Sequence, residues 1–255
     1  MISLDKNNTK NDIPIGLYFK KVSFAYGNKI LLDDFDLSIP GGQVTAILGP
    51  SGIGKSTLLS LIANLTKPSD GEIISSKGTS LSEKIAFMNQ TDSLLPWLSI
   101  QANVDLGSRL RGEKNNLSEA CEMLNSVGLK NYIYAKPHEL SVGMKQRVAL
   151  ARTLIENRPI VLMDEPFSAL DTLTKLRLQS LSAKLFKNRT VVFVTHDPNE
   201  ALRISNQVIV IKGCPIQANK PIVIPGTAPR DTSSIPLGKI YTDLLSQLNE
   251  ADQLV

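Results

Sequence analysis

Cysteine is nearly absent: Cys121 and Cys214 are the only two in 255 residues, and neither has a second thiol at metal-ligand spacing. A disulfide framework and a cysteine metal site are therefore excluded. No apolar run approaches the length needed to span a bilayer, and the polar start of the chain, MISLDKNNTKND, holds no apolar signal core. The expectation is a protein of the reducing cytoplasm that reaches a membrane only by docking to other subunits. Internal repeats and low-complexity tracts are missing too. The net charge of +4 is the balance of 28 basic and 24 acidic residues, and the basic ones are scattered, becoming no denser than Lys20-Lys21. Such a surface offers no nucleic-acid patch. What is present, 42% hydrophobic and 20% charged residues, suits a sizeable core in one domain with an insertion or in two small ones.

The most informative stretch is Gly49-Pro50-Ser51-Gly52-Ile53-Gly54-Lys55-Ser56, which lies between an apolar strand at 44–48 and a helix with Leu58, Leu59, Leu61, Ile62 and Leu65 as its apolar positions. Glycines let successive backbone N–H groups face one anion, and the following helix adds unpaired N–H groups and the positive end of its dipole. A triphosphate fits that field. Lys55 reaches the outer phosphates as a point charge, the Ser56 hydroxyl suits a bridging magnesium ion, and Thr57 is placed to bond an inner phosphate.

Before this loop, Leu17, Phe19, Val22 and Phe24 predict a strand with a slip in its alternation, and residues 30–39 a second extended run closed by Pro40-Gly41-Gly42. A turn at 68–71 and a short strand at 84–88 follow. Residues 91–157 contain helix-forming segments punctuated by Pro96, Gly112, Gly128 and Pro137, and read as a helical insertion. A strand at 160–163, a helix at 173–186 anchored by Leu173, Leu176, Leu181 and Leu185, and a strand at 190–195 come next. Alternating strands and helices around a P-loop imply a mostly parallel sheet covered on both faces. Beyond Gly213 the chain is proline-rich, with a short amphipathic stretch at 241–248.

A P-loop strand requires a neighbouring strand whose carboxyl end presents an acid to the metal, and Ile160-Val161-Leu162-Met163-Asp164-Glu165 has that form. Asp164 would hold magnesium through water, leaving Glu165 to polarise the attacking water as a general base. His196 emerges at the end of the next strand, where it can face the γ-phosphate as a sensor. His138 has no such setting and reads as structural.

Together these residues resemble the ATP-binding subunits of ABC transporters over nearly the whole chain from Leu17. Tyr26 resembles the aromatic residue that stacks on adenine, and Gln90 the glutamine that couples the metal site to the helical region. Leu140-Ser141-Val142-Gly143-Met144 resembles the family signature, Ser168-Ala169-Leu170-Asp171 the D-loop, and His196 the switch histidine. The resemblance implies an α/β P-loop NTPase fold: a RecA-like parallel core, an antiparallel β part and a helical insertion. It implies a polar arm at 1–16, the ATPase domain at 17–228 with its insertion at about 91–157, and a tail at 229–255. It further implies two subunits sandwiching two ATP molecules head to tail with Mg2+. Each nucleotide then meets one P-loop and the partner's signature, where Ser141 donates a hydroxyl bond and Gly143 its N–H. Closure and opening of this dimer would drive permease subunits on the cytoplasmic side of the inner membrane.

The stretch Leu94-Leu95-Pro96-Trp97 after Gln90, with Pro229-Arg230-Asp231, resembles importers of nitrate, sulfonates, taurine and related solutes, a group that includes importers of pyrimidine precursors of thiamine. Trp97 then meets the permease or, alternatively, fills the gap between lobes. The solute is chosen by the permease and a solute-binding protein, not by this subunit. Soluble family members in DNA maintenance carry long heptad insertions or zinc cysteines, and those in translation carry two ATPase units; this chain has neither. A non-catalytic, nucleotide-gated subunit is the reading that Val142 leaves open. The usual signature is Leu-Ser-Gly-Gly-Gln, so Val142 stands in place of glycine and Met144 in place of glutamine. A β-branched residue there restricts the backbone and adds bulk at an interface. Val142→Gly is expected to raise ATPase turnover in the presence of the membrane subunits; equal turnover in both proteins would sink this reading.

Overall fold

The computed structural model describes residues 14–78, 80–113 and 117–254; most of the expected N-terminal arm, residues 1–13, lies outside the described residues. Ile15, within that arm, is buried against the core.

Two sheets organise the chain. Strands β1 (Leu17–Tyr26), β2 (Lys29–Ile39) and β4 (Asp70–Ser75) form an antiparallel sheet in the order β2-β1-β4. The slip read in β1 is a register shift between Phe19 and Val22, where Lys21 takes a φ of +47°. The second sheet runs β10-β8-β3-β7-β6-β5, with β9 pairing β8. Its parallel part comprises β3 (Val44–Leu48), β5 (Ile85–Met88), β6 (Ile160–Asp164), β7 (Thr190–Thr195) and β8 (Gln207–Lys212). The short β9 (Gln217–Ala218) and β10 (Ile222–Val223) join β8 antiparallel.

Every residue of β3, β6 and β7 is buried, as a strand covered on both faces must be. Alternate residues feed two cores. Ala46, Leu48, Met163 and Phe193 point to one, and Ile47, Leu162, Val192 and Val194 to the other. On the second side lie the antiparallel sheet and α1 (Lys55–Ile62). Eight residues are too few for a stable isolated helix. Burial of Leu58, Leu59, Leu61 and Ile62 holds α1 in place, at about 2 kcal/mol per side chain. Leu65 does not belong to this face: Asn64 turns left-handed after the helix, and Leu65 is exposed.

The other side is helical. Between β5 and β6 come α2 (Ile100–Val104), α3 (Leu106–Leu110), α4 (Leu117–Ser126) and α5 (Val142–Ile155), with no strand among the described residues. After β6 comes α6 (Thr172–Leu185), whose buried residues are Leu178, Gln179, Ser182 and Leu185. Leu173 and Leu176 are exposed and anchor nothing, because the inward stripe starts a turn later. Helix α7 (Pro198–Ile204) follows β7, and α8 (Ile235–Asp252) extends well beyond the amphipathic stretch read in the sequence. Leu237 and Leu244 of α8 are buried in the helical core.

Arg230 fastens the segment leading to α8. Its side chain is 6% exposed, and its guanidinium donates to the carbonyls of Leu202, Ser205, Ile224, Pro225 and Gly226 at 2.7–3.2 Å. Only a planar fork with five N–H donors satisfies so many acceptors at once. Arg230→Met leaves them unpaired and is expected to cost about 3 kcal/mol in urea denaturation. Arg230→Lys should recover less than half of that loss.

Candidate functional site

The parallel register decides which residues meet. Leu48 of β3 pairs with Thr195 of β7, and Val194 of β7 with Asp164 of β6. The strand beside the P-loop strand is thus β7, which carries His196, and not the acid-bearing β6 expected as its neighbour. Strand β6 stands one place further out, and Glu165 just past its end is tied to β7 by donating its N–H to the carbonyl of Val194 at 3.0 Å.

At these carboxyl ends Ser51, Gly52, Gly54, Lys55, Ser56, Gln90 and Glu165 line an open cleft of about 240 Å3. Gly54 precedes α1 at a φ of +116°, and a Cβ there would lie 2.9 Å from Leu31 and Ile216. Only glycine fits. The Lys55 ammonium donates to the carbonyls of Gly49 and Pro50 at 2.8 and 2.7 Å, which places a buried cation inside the turn. Burial lowers the pKa of Lys55, while the Glu165 and Asp164 carboxylates oppose that shift. Burial likewise raises the pKa of Asp164, with a hydrogen bond from Ser56 acting the other way. Lys55 and Asp164 are thus buried charges, and the exposed Ser56, which lines the cleft with Lys55, is hydrogen-bonded to Asp164 behind it.

Glu165 adopts a left-handed φ of +46° and puts Oε1 3.2 Å from His196 Nδ1. A non-glycine residue in that conformation persists only where its surroundings fix it. The turn bearing His196 is braced from behind. Thr195 donates its hydroxyl to the buried Glu200 at 2.6 Å, and Lys175 pairs with the same carboxylate at 2.9 Å. Burial pushes the pKa of Glu200 up, and the bonds from Thr195 and Lys175 oppose the shift. Neither Lys175 nor Glu200 figured in the sequence reading, since a helix-surface lysine and a turn glutamate carry no local signature.

The remaining expected ligands divide. Ile53 is buried beneath the loop. Thr57 lies 3.4 Å from the hydroxyl of Tyr26, itself 58% exposed and packed edge-on against Phe24. Ser141 and Gly143 line a second cleft, of about 250 Å3, with Met144, Arg147, Ala169, Leu170, Asp171 and Thr174. Ser141 caps α5 by accepting from the N–H of Met144, which leaves its own O–H free to donate. Val142 beside it is 71% exposed. Trp97 is 68% exposed and so fills no gap between lobes. Its turn is held by the buried Asn103, which bonds the backbone of Leu95, Leu98 and Ser99, and by Arg152, which donates to the carbonyls of Asp92 and Ser93.

Sheet, glycine turn, acid pair and strand-end histidine define a P-loop nucleoside triphosphatase. The sequence matches the ABC transporter family over residues 32–168. It is 39% identical over 240 residues to the aliphatic sulfonates import ATP-binding protein SsuB 1 of Rhodococcus jostii, covering 93% of this chain and 95% of that one. It is also 39% identical to SsuB 2 of Pseudomonas aeruginosa, covering 94% and 86%. Among solved structures, the ATP-binding cassette MJ0796, as a dimer in a post-hydrolysis state bound to ADP and Pi, superposes with a TM-score of 0.72 at 34% identity, covering 82% of this chain and 99% of that one. The chain belongs to the ABC transporter family and is one of its ATP-binding, ATP-hydrolysing cassettes. Gly54→Ala, which strains the turn without touching the second cleft, is expected to weaken ATP binding by about tenfold or more, read with a fluorescent ATP analogue while circular dichroism stays unchanged.

Proposed function

We propose that this cassette energises import of a small sulfonate-like solute, or of a nitrate-, taurine- or thiamine-pyrimidine-like one. It docks as a pair to permease subunits on the cytoplasmic side of the inner membrane, and a solute-binding protein delivers the cargo. The cargo class rests on the names of the SsuB relatives and on the Leu94-Leu95-Pro96-Trp97 stretch. An exposed Trp97 on a turn locked by Asn103 and Arg152 suits a contact with the permease.

The catalytic reading is carried by the contact between His196 Nδ1 and Glu165 Oε1 at the cleft that holds Lys55 and Ser56. Glu165 acts as the general base on the attacking water, and His196 orients that carboxylate and senses the γ-phosphate. Lys55 exchanges its bonds to Gly49 and Pro50 for the outer phosphates, the loop N–H groups hold the inner ones, and Tyr26 stacks on the adenine. The donors near Asp164 suit Mg2+: the Ser56 hydroxyl, a carboxylate bonded to it and the Gln90 amide are all hard oxygens. Ser56, Asp164 and Gln90 would hold this ion, which when bound neutralises phosphate charge. The second cleft, with Ser141 and Gly143, completes the nucleotide site of a head-to-tail partner.

Glu165→Gln is expected to lower steady-state hydrolysis by about a hundredfold or more, while the protein accumulates as an ATP-bound dimer in size-exclusion chromatography. Wild type and variant equally inert with the cognate permease would instead favour a nucleotide-gated, non-catalytic subunit.

A further inference from the structure

Helix α5 begins at one cleft and passes behind the other. Its first turn lies flush against the loop 168–171: a Cβ on Gly143 would fall 2.9 Å from the carbonyl oxygen of Ala169. One turn further on, Gln146 points inward and is 7% exposed. Its Nε2 donates to the carbonyl of Glu165 at 2.9 Å and lies 3.2 Å from the Ser168 hydroxyl. Its Oε1 accepts from the N–H of Ala169 at 2.9 Å. The Ser168 hydroxyl donates to the same Glu165 carbonyl at 3.1 Å, so both ends of the segment 165–169 are tied to a single amide.

That segment joins the two clefts. Glu165 lines the P-loop cleft, and Ala169 lines the cleft of Ser141 and Gly143. Glu165 also holds a left-handed backbone, which needs external restraint, and its N–H is fixed to Val194 while its carbonyl is fixed to Gln146. A primary amide donates to one end of the segment through its nitrogen and accepts from the other through its oxygen.

We infer that Gln146 is a positioning residue that couples the two nucleotide half-sites carried by one chain, so that occupation of the Ser141–Gly143 cleft by the partner's nucleotide sets the backbone of Glu165. The inference rests on the head-to-tail reading above. A ligand that seats against Gly143 presses on the loop 168–171 directly. Displacement of Ala169 then pulls the Gln146 amide, and the amide shifts the carbonyl of Glu165. The coupling needs both functions of the amide, the donor as well as the acceptor.

The test uses the assembled ATPase–permease complex, with ATP as the varied ligand. Gln146→Glu keeps the shape and the acceptor but loses the donor, and Gln146→Met keeps the shape and loses both. Wild type is expected to hydrolyse ATP cooperatively. In both variants the Hill coefficient should fall to about 1 and kcat by about tenfold or more, with the ATP affinity of the isolated subunit changed less than about twofold. A purely structural role leaves the Hill coefficient where it was while the melting temperature drops, and that result overturns the coupling. Should Gln146→Met not fold, Gln146→Glu alone decides by the same comparison. A wild-type complex with neither hydrolysis nor ATP-dependent dimerisation defeats the head-to-tail reading itself. A cooperative wild type with equally cooperative variants defeats only the role given to Gln146.

Discussion

The register of three parallel strands is the constraint on which the site depends. Leu48 ends level with Thr195, and Asp164, level with Val194, ends one residue short of them, so the glycine turn, His196 and Glu165 all leave the sheet at its carboxyl edge. A slip of one residue in β7 would exchange Val192 and Val194 for Phe193 between the two cores and turn His196 away from Glu165. The alternation of large apolar residues that stabilises the sheet therefore also sets the catalytic geometry. Packing and chemistry share one specification.

Around that frame the polar groups are arranged to be costly unless engaged. Asp164 and Lys55 sit where burial opposes their charges; Lys55 is moderated by the Glu165 and Asp164 carboxylates, and Asp164 by Ser56 and Lys55. Glu200 stands in a similar position behind His196, held by Thr195 and Lys175. Charged groups in such surroundings respond strongly to an added phosphate or cation, because little water intervenes. The site is thus poised electrostatically by the same burial that makes it rigid.

Much of this was legible in the sequence, and the reasons are local. The P-loop strand and helix announce themselves through an apolar run, a glycine turn and a helical stripe, and β6 and β7 through unbroken apolar stretches. What escaped depends on pairing across the chain. The insertion of β7 between β3 and β6 is a topological fact that no local pattern encodes. Strand β4 was missed because it opens within the conspicuous turn at 68–71, whereas β8 carries an apolar run as long as that of β6 and was simply overlooked beside the Gly213 and Pro215 turn. Leu65, Leu173 and Leu176 show the opposite error: helical spacing suggested burial, and the true stripe began or ended a turn away. Gln146 was invisible for a different reason, since the role of an amide is defined by acceptors and donors about twenty residues along the chain.

Arg230 shows how lightly such an arrangement can constrain sequence. All five of its acceptors are main-chain carbonyls, so the clamp reads the path of the backbone and is indifferent to the side chains at 202, 205, 224, 225 and 226. Substitutions at those positions that preserve the local turn leave the anchor intact, whereas the arginine itself has no substitute. The hold on the C-terminal helix therefore asks nothing of the exposed side chain at 225, while the buried Leu202, Ser205 and Ile224 answer to the core around them and not to the arginine.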